Sequence, residues 1–185
     1  DFILISHAHG DHYFGLIGLI STYSLLRRKN KLKLFCPRVV SEIINAQIKI
    51  SSMFLSYELE IIELNSEKSE TIYESNDFSI FTIPLRHSIY SNGFLFQEKN
   101  NKRKLNLDLA QKLNINKVYY NKLTKGENVF NEKGEEIDYK EVTSEGLKNK
   151  SYAFCSDTTY FPNIIKKISN VDLLYHESTF LEKDR

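Results

Sequence analysis

The chain has 185 residues, of which 41% are hydrophobic and 26% charged, and its net charge is +1. This composition suits a globular domain with a sizeable core and excludes a disordered or low-complexity chain. No apolar run approaches the ~20 residues that span a bilayer, so no membrane partner is expected. The near-neutral total hides an uneven distribution. Five basic residues and no acid lie between Arg27 and Lys33, eight basic residues against Glu98 and Asp108 lie between Gln97 and Lys125, and seven acids against Lys68 lie between Glu58 and Asp77. Basic stripes of this kind can meet a polyanion, although for any single charge run a solvated face is the more common outcome. Cys36 and Cys155 lack CxxC spacing and sit in apolar runs, which reads as buried side chains in a reducing cytoplasm. The chain opens inside a strand, not on Met, and closes in a charged run; an internal fragment of a longer protein is expected.

Phe2 to Ile5 is an apolar run that reads as a buried strand, and it leads straight into Ser6-His7-Ala8-His9-Gly10-Asp11-His12. Side chains alternate faces along a strand, so His7 and His9 should point to one side. Gly10 should then turn the chain through a positive φ, with Asp11 as a helix N-cap. Four nitrogen and oxygen donors within six residues suit zinc, manganese or iron. Three of the chain's five histidines are spent on this segment.

Further along, the spacing of Leu16, Ile17, Ile20 and Tyr23 predicts a helix over Tyr13–Lys29 with Arg27-Arg28-Lys29 in its last turn. A strand over Lys31–Cys36 and an amphipathic helix over Val39–Met53, with Phe54 on its apolar side, come next. Strands are expected at Tyr57–Leu64, Thr71–Glu74 and Phe78–Ile83, the last half-buried on both faces. That strand runs into Pro84-Leu85-Arg86-His87, and Gly93–Phe96 resumes as another. Lys99 to about Glu145 departs in composition: it is basic, with a short helix over Leu107–Leu113 and a hairpin over Glu127–Val142 turning at Lys133-Gly134. It reads as an excursion from the core. Tyr152–Cys155 is a buried strand ending in Ser156-Asp157, where Asp157 is either the N-cap of a helix over Tyr160–Lys167 or an anionic ligand shared by two cations. Val171–Tyr175 is the last strand and ends in His176-Glu177. Four strands finish in His or Asp, which places these side chains on one rim.

Four segments together resemble the ribonuclease Z family of the metallo-β-lactamase superfamily. Ser6–Ile20 is similar to its HxHxDH metal motif and first helix, and Pro84–Lys99 to the segment of its third histidine. Cys155–Tyr160 is similar to its Asp strand, and Leu173–Phe180 to its HEAT motif. The order and approximate spacing are the family's, and the likeness covers essentially the whole chain. Ala8, Ser156 and Ser178 depart from the usual residues without removing a ligating atom.

The resemblance implies an α/β fold, of the α+β kind: a partial metallo-β-lactamase αββα sandwich over residues 1–185, with a basic exosite arm inserted at 99–145. It implies two divalent metal ions, zinc first among them, one held by His7, His9 and His87, the other by Asp11 and His12, with Asp157 bridging. A metal-bridged hydroxide would attack the scissile phosphate, with Asp11 as catalytic base or orienting group, and remove the 3′ trailer of precursor tRNA. His176 and Glu177 would orient ligands from behind, and Lys102, Arg103 and Lys104 of the arm would contact tRNA phosphates. A cytoplasmic homodimer is implied for the full-length protein. The family's remaining ligand histidine, its HST histidine and its upstream PxKxRN loop have no counterpart in this sequence, nor is the arm's Gly-Pro element evident near Asn116-Lys117. A thioester, lactone or sulfate-ester hydrolase of the same fold would need no basic arm, and a non-catalytic nucleic-acid-binding fragment would tolerate lost ligands.

Overall fold

The structure is a computed structural model that describes residues 1–99 and 102–179. Its contacts divide it into two units, the first built from Asp1–Glu74, Ser79–Phe96 and the chain from Ser151 on, the second from Ser75–Phe78 and Gln97–Lys150. The chain begins with β1 (Phe2–Leu4), α1 (Gly10–Tyr13), α2 (Leu16–Leu25), β2 (Leu32–Pro37), α3 (Arg38–Ile50) and β3 (Leu59–Leu64). It continues through β4 (Thr71–Glu74), β5 (Phe78–Pro84) and β6 (Asn92–Glu98). The second unit holds β7 (Lys104–Leu105), α4 (Leu107–Lys112), α5 (Tyr120–Thr124), β8 (Val129–Phe130), β9 (Glu136–Ile137), α6 (Tyr139–Val142) and β10 (Thr143–Ser144). The chain returns with β11 (Ser151–Cys155), α7 (Ile165–Ile168) and β12 (Leu173–His176).

In the first unit β1, β2 and β3 form a parallel sheet in that order. Leu32, Leu34 and Cys36 alternate along β2 and are buried with Leu16 and Ile20 of α2 and Val40 and Ile44 of α3. Each such aliphatic side chain contributes roughly 1.5–3 kcal/mol on burial, and together they fix both helices to one face. The opposite face carries Phe35, whose ring meets that of Phe2, and Phe2 lies 4.4 Å from the Tyr73 ring of β4. Tyr73 belongs to a five-stranded sheet ordered β12-β11-β6-β5-β4. The far side of that sheet buries Ile83, Leu95, Ala153 and Cys155 with Ile164, and Ile168 of α7 packs against them. The layers are therefore helix, sheet, sheet, helix, as expected. β6 and β11 approach closely at Gly93, where an added Cβ would collide with the Phe154 carbonyl oxygen.

The predicted first helix is two helices, α1 and α2, separated at Phe14-Gly15 and ended earlier than expected. Arg27 takes a φ of 57°, and Arg28 N–H bonds the Tyr23 carbonyl while Arg27 N–H bonds that of Ser24. This pairing is the Schellman motif that closes a helix, and it leaves the basic cluster outside the last turn. The Arg28 guanidinium turns back to Asp1 at 2.6 Å. The same closure, with Ser52 at φ 50°, ends α3 and leaves Phe54 82% exposed, out of the predicted apolar register. Gly10 does not turn the chain through a positive φ: it opens α1, with His9 at the N-cap and Asp11 inside the first turn. Its missing side chain makes room for the Phe14 ring, with which a Cβ would collide. The helix expected over Tyr160–Lys167 is reduced to a 3-10 turn at Pro162–Ile164 and α7, and Asp157 caps neither.

The second unit has its own core of Ala110, Ile115, Leu123, Val129, Ile137 and Val142. Asn106 caps α4 by accepting from Leu109 N–H. The predicted hairpin is real but short. Asn131 Oδ1 accepts from the N–H groups of Lys133 and Glu135, Gly134 supplies a φ of 81°, and only β8 and β9 pair. The segment read as the hairpin's second strand ends instead as α6, because Asp138 accepts from Lys140 N–H and starts a helix. Both cysteines are free and buried, as expected, and burial pushes their thiols up to about 12 and about 11 respectively. Among the described residues no helix is long and apolar enough to cross a membrane.

Candidate metal centre

β1 releases the chain at Leu4, and the next residues stay extended. Asn92 N–H bonds the Ser6 carbonyl, and His7 forms an isolated bridge with Ser91, just before β6. His7 is thereby held at the end of the strand and is fully buried. α1 then turns His12 back over it, with ring centroids 4.0 Å apart. The loop after β5 brings in His87, and the loop after β11 brings in Asp157. One ligand atom from each of His7, His9, His87 and Asp157 lies within 4.8 Å of the others. His87 Nε2 and His9 Nδ1 are 3.0 Å apart. Asp157 Oδ2 lies 3.8 Å from His7 Nε2 and 4.0 Å from His87 Nε2, while its Oδ1 lies 3.6 Å from His12 Nε2.

Asp11 and His12 stand beside this group rather than within it. Asp11 Oδ2 is 3.1 Å from His12 Nε2, and the Asp11 side chain is 78% exposed. His176 is exposed, pairs its Nδ1 with the Glu177 carbonyl at 2.7 Å and is not one of the clustered donors. Glu177 folds back to the Asp157 loop: its Oε1 accepts from Thr158 N–H at 2.8 Å and its Oε2 from the Thr179 hydroxyl and N–H. Burial alone would raise the Glu177 pKa, but the bonds from Thr179 and Thr158, with His176 nearby, outweigh it and hold the carboxyl below its ordinary range. The last residue of the Leu173–Phe180 motif, Phe180, lies outside the described residues.

A cation fits this donor set. His7 Nε2 is buried and has no hydrogen-bond partner, whereas buried polar atoms are ordinarily satisfied, at a cost of about 1–3 kcal/mol when they are not. Its nearest carboxylate oxygen stands too far for a hydrogen bond. The other ring nitrogen, Nδ1, lies 3.0 Å from the buried Ser6 hydroxyl. When that hydroxyl accepts from Nδ1–H, the Nε2 lone pair is free to face the cluster. Imidazole nitrogens with a carboxylate are the donors that zinc and neighbouring divalent ions take.

The His7 ring is held neutral. Burial, then the neighbouring His12, push its pKa from 6.5 down to about 4, with Asp157 opposing. Unfolding restores the ordinary value, so between the two values the unfolded chain binds a proton that the folded chain refuses. Stability is therefore complete above the ordinary value and falls as pH drops through that window. For the metal-free protein the loss through His7 is about 2 kcal/mol between about pH 7.5 and about pH 5. Urea denaturation at the two pH values measures it, and equal midpoints would contradict a buried neutral His7.

Lys102, Arg103 and Lys104 fall in the second unit. Arg103 is used internally, its Nε donating to Thr143 Oγ1 at 2.7 Å and its guanidinium lying 5.0 Å from the Tyr139 ring centre. Lys102 and Lys104 line a cleft of about 580 Å³ that also presents Asp77, Glu98 and Glu145. Ser6, Arg86 and Thr158 were not singled out from the sequence. All three adjoin ligand candidates, His7, His87 and Asp157, and that adjacency is the one signal that could have pointed to them.

Comparison with known proteins bears on the whole arrangement. The chain is 36% identical to a protein named Ribonuclease Z from Bacteroides fragilis over 98% of its own length and 60% of the relative's. It is 43% identical to a Ribonuclease Z from Cytophaga hutchinsonii over 94% of its length and 56% of the relative's. The chain thus spans about 60% of the length of the curated relatives it matches. The resemblance carried by the four sequence motifs is borne out by these relatives. In fold, the chain is similar to the crystal structure of human tRNase Z, short form, with a TM-score of 0.60 at 20% identity, covering 98% of this chain and 59% of that one. The model of the beta-lactamase superfamily domain matches residues 1–120. That span takes in the strand end and helix of His7 to His12 and the loop of His87, and the chain belongs to the beta-lactamase superfamily.

Proposed function

We propose that the full-length protein is a divalent-metal endoribonuclease that removes the 3′ trailer from precursor tRNA. The observation that carries this reading is the four-donor cluster with the buried, unpartnered Nε2 of His7. The relatives named Ribonuclease Z support the choice of substrate. In this reading His7, His9 and His87 would hold one ion, Asp11 and His12 would hold a second, and Asp157 would serve both. The two oxygens of Asp157 face different histidines, His7 and His87 on one side and His12 on the other, which suits a shared ligand. Zinc leads among candidate ions on the donor chemistry. When bound, the ions supply Lewis acidity that brings a water's pKa towards neutrality and polarises a phosphodiester.

The chain's own residues do the positioning. Asp11 is exposed beside His12, where its carboxylate orients the attacking water and accepts its proton. Glu177 works from behind, through Thr158 N–H, and His176 packs its Nδ1 on the Glu177 carbonyl. The second unit serves as the arm expected over 99–145 within a partial metallo-β-lactamase domain spanning 1–185. Lys102 and Lys104 are its leading phosphate contacts, with Arg103 partly committed to Thr143. Such contacts give affinity and register, weaken with salt and do not read bases. The resemblance also supports a cytoplasmic homodimer.

The test is a panel given to the full-length protein: 3′-extended precursor tRNA, a thioester, a lactone and a sulfate ester, each with and without chelator. Cleavage of the tRNA at the trailer, stopped by chelator, is the expected result. Preferential turnover of a small ester would move the protein to another hydrolase of this fold. RNA binding without cleavage would make it a binding module.

A further inference from the structure

His87 and Asp157 follow β5 and β11, and these two strands are not neighbours, because β6 lies between them in the sheet. No ladder of sheet hydrogen bonds joins the two strands directly, and their ladders to β6 end before the loops. Beyond the strand ends a separate set of bonds joins the loops. Thr158 Oγ1 accepts from Arg86 N–H at 3.1 Å and donates to the Thr159 carbonyl at 3.0 Å. Thr159 N–H donates to the Arg86 carbonyl at 2.7 Å, and the Thr159 hydroxyl reaches the same oxygen at 3.2 Å. Thr158 N–H in turn donates to Glu177 Oε1 at 2.8 Å, which ties in the loop after β12, and Glu177 N–H donates to the Cys155 carbonyl. Arg86 immediately precedes His87 and Thr158 immediately follows Asp157, so the clamp grips each candidate ligand by its chain neighbour.

We propose that Thr158 is a positioning residue for the metal centre: its hydroxyl and N–H lock the loops of His87, Asp157 and Glu177 at the spacing that the ion needs. The proposal rests on the reading of this cluster as a metal site. Groups that hold ligands without touching the ion set affinity through preorganisation, because an ion that must first gather its ligands binds more weakly. Removing the hydroxyl leaves Arg86 N–H without its acceptor and leaves the two ligand loops joined only through the Thr159 bonds to the Arg86 carbonyl, a looser hold on their spacing.

The experiment compares full-length wild type, Thr158→Val and Thr158→Ser by titration with zinc against a competing chelator, and by thermal unfolding of the metal-free proteins. Valine keeps the branched shape and loses the hydroxyl, whereas serine keeps the hydroxyl. Thr158→Val is expected to bind zinc roughly 10–100-fold more weakly, with metal-free unfolding close to wild type, and Thr158→Ser to retain wild-type affinity. Equal zinc affinity in Thr158→Val and wild type overturns the clamp, as does an equal loss in Thr158→Ser. A fall in metal-free stability matching the loss of affinity also overturns it, since the hydroxyl would then be general scaffolding. Absence of zinc uptake by the wild type overturns instead the site reading on which the clamp rests.

Discussion

Asp157→Ala in the full-length protein is expected to strip the centre of its metal and to lower cleavage of 3′-extended tRNA by on the order of 10³-fold. Asp157 is the single carboxylate in the four-donor group found among the described residues, and its oxygens face His7, His87 and His12 at 3.6–4.0 Å. Without it, the group of His7, His9 and His87 keeps no carboxylate of its own to balance a divalent charge, and Asp11 remains only at the margin beside His12. Asp11→Ala is expected to cost activity on the same scale, with a smaller loss of metal, because Asp11 stands at the exposed margin beside His12. Elemental analysis of the purified variants, run beside the cleavage assay, separates the two effects. Wild-type turnover in Asp157→Ala would sink the assignment.

Replacing residues 99–149 with a two-glycine turn is expected to lower tRNA cleavage roughly 10²-fold while changing hydrolysis of a small phosphodiester by no more than about twofold. The structure allows the excision. The segment carries its own hydrophobic core, and its two ends already meet, with Glu98 N–H bonding the Lys150 carbonyl at 2.9 Å and the Glu98 carboxylate accepting Lys150 N–H at 2.7 Å. Every candidate metal ligand lies in the other unit. A small substrate should therefore meet the same groups before and after, whereas a polyanion loses the eight basic residues between Gln97 and Lys125 that fall within or beside the excised stretch. Equal losses on both substrates would contradict the role given to this unit. Raised salt should mimic the deletion on tRNA alone, since released counterions drive phosphate contacts.

Much of the candidate site was legible because its signals are local. An apolar strand followed by HxHxDH places four donors within six residues, and periodicity at Leu32, Leu34 and Cys36, or at Val40 and Ile44, follows directly from which face is buried. Helix ends were less legible. Arg27 and Ser52 adopt left-handed φ values although neither is Gly or Asn, so no residue marked the Schellman closures that detached the basic cluster and exposed Phe54. α6 was read as a strand because its cap, Asp138, competes with a hairpin pattern that the short β8–β9 pair satisfies early. What the sequence withheld altogether were bonds between distant segments. Thr158 to Arg86 spans 72 positions, Glu177 to Thr158 spans 19, and Arg103 to Thr143 spans 40. Spacing along a chain carries no mark of such pairs, and they decide whether a charged or hydroxyl side chain meets a ligand or serves the scaffold. Arg103, picked for phosphate, is such a case.

The central claim, that the rim where the ends of β1, β5 and β11 converge is a metal centre, meets its most direct test in anomalous diffraction from crystals of the full-length protein grown with zinc. Peaks at the zinc absorption edge among His7, His9, His87 and Asp157, with His7 Nε2 as a ligand, are the expected result. Fully zinc-loaded crystals with no peak there, or with His7 Nε2 left uncoordinated, would contradict it.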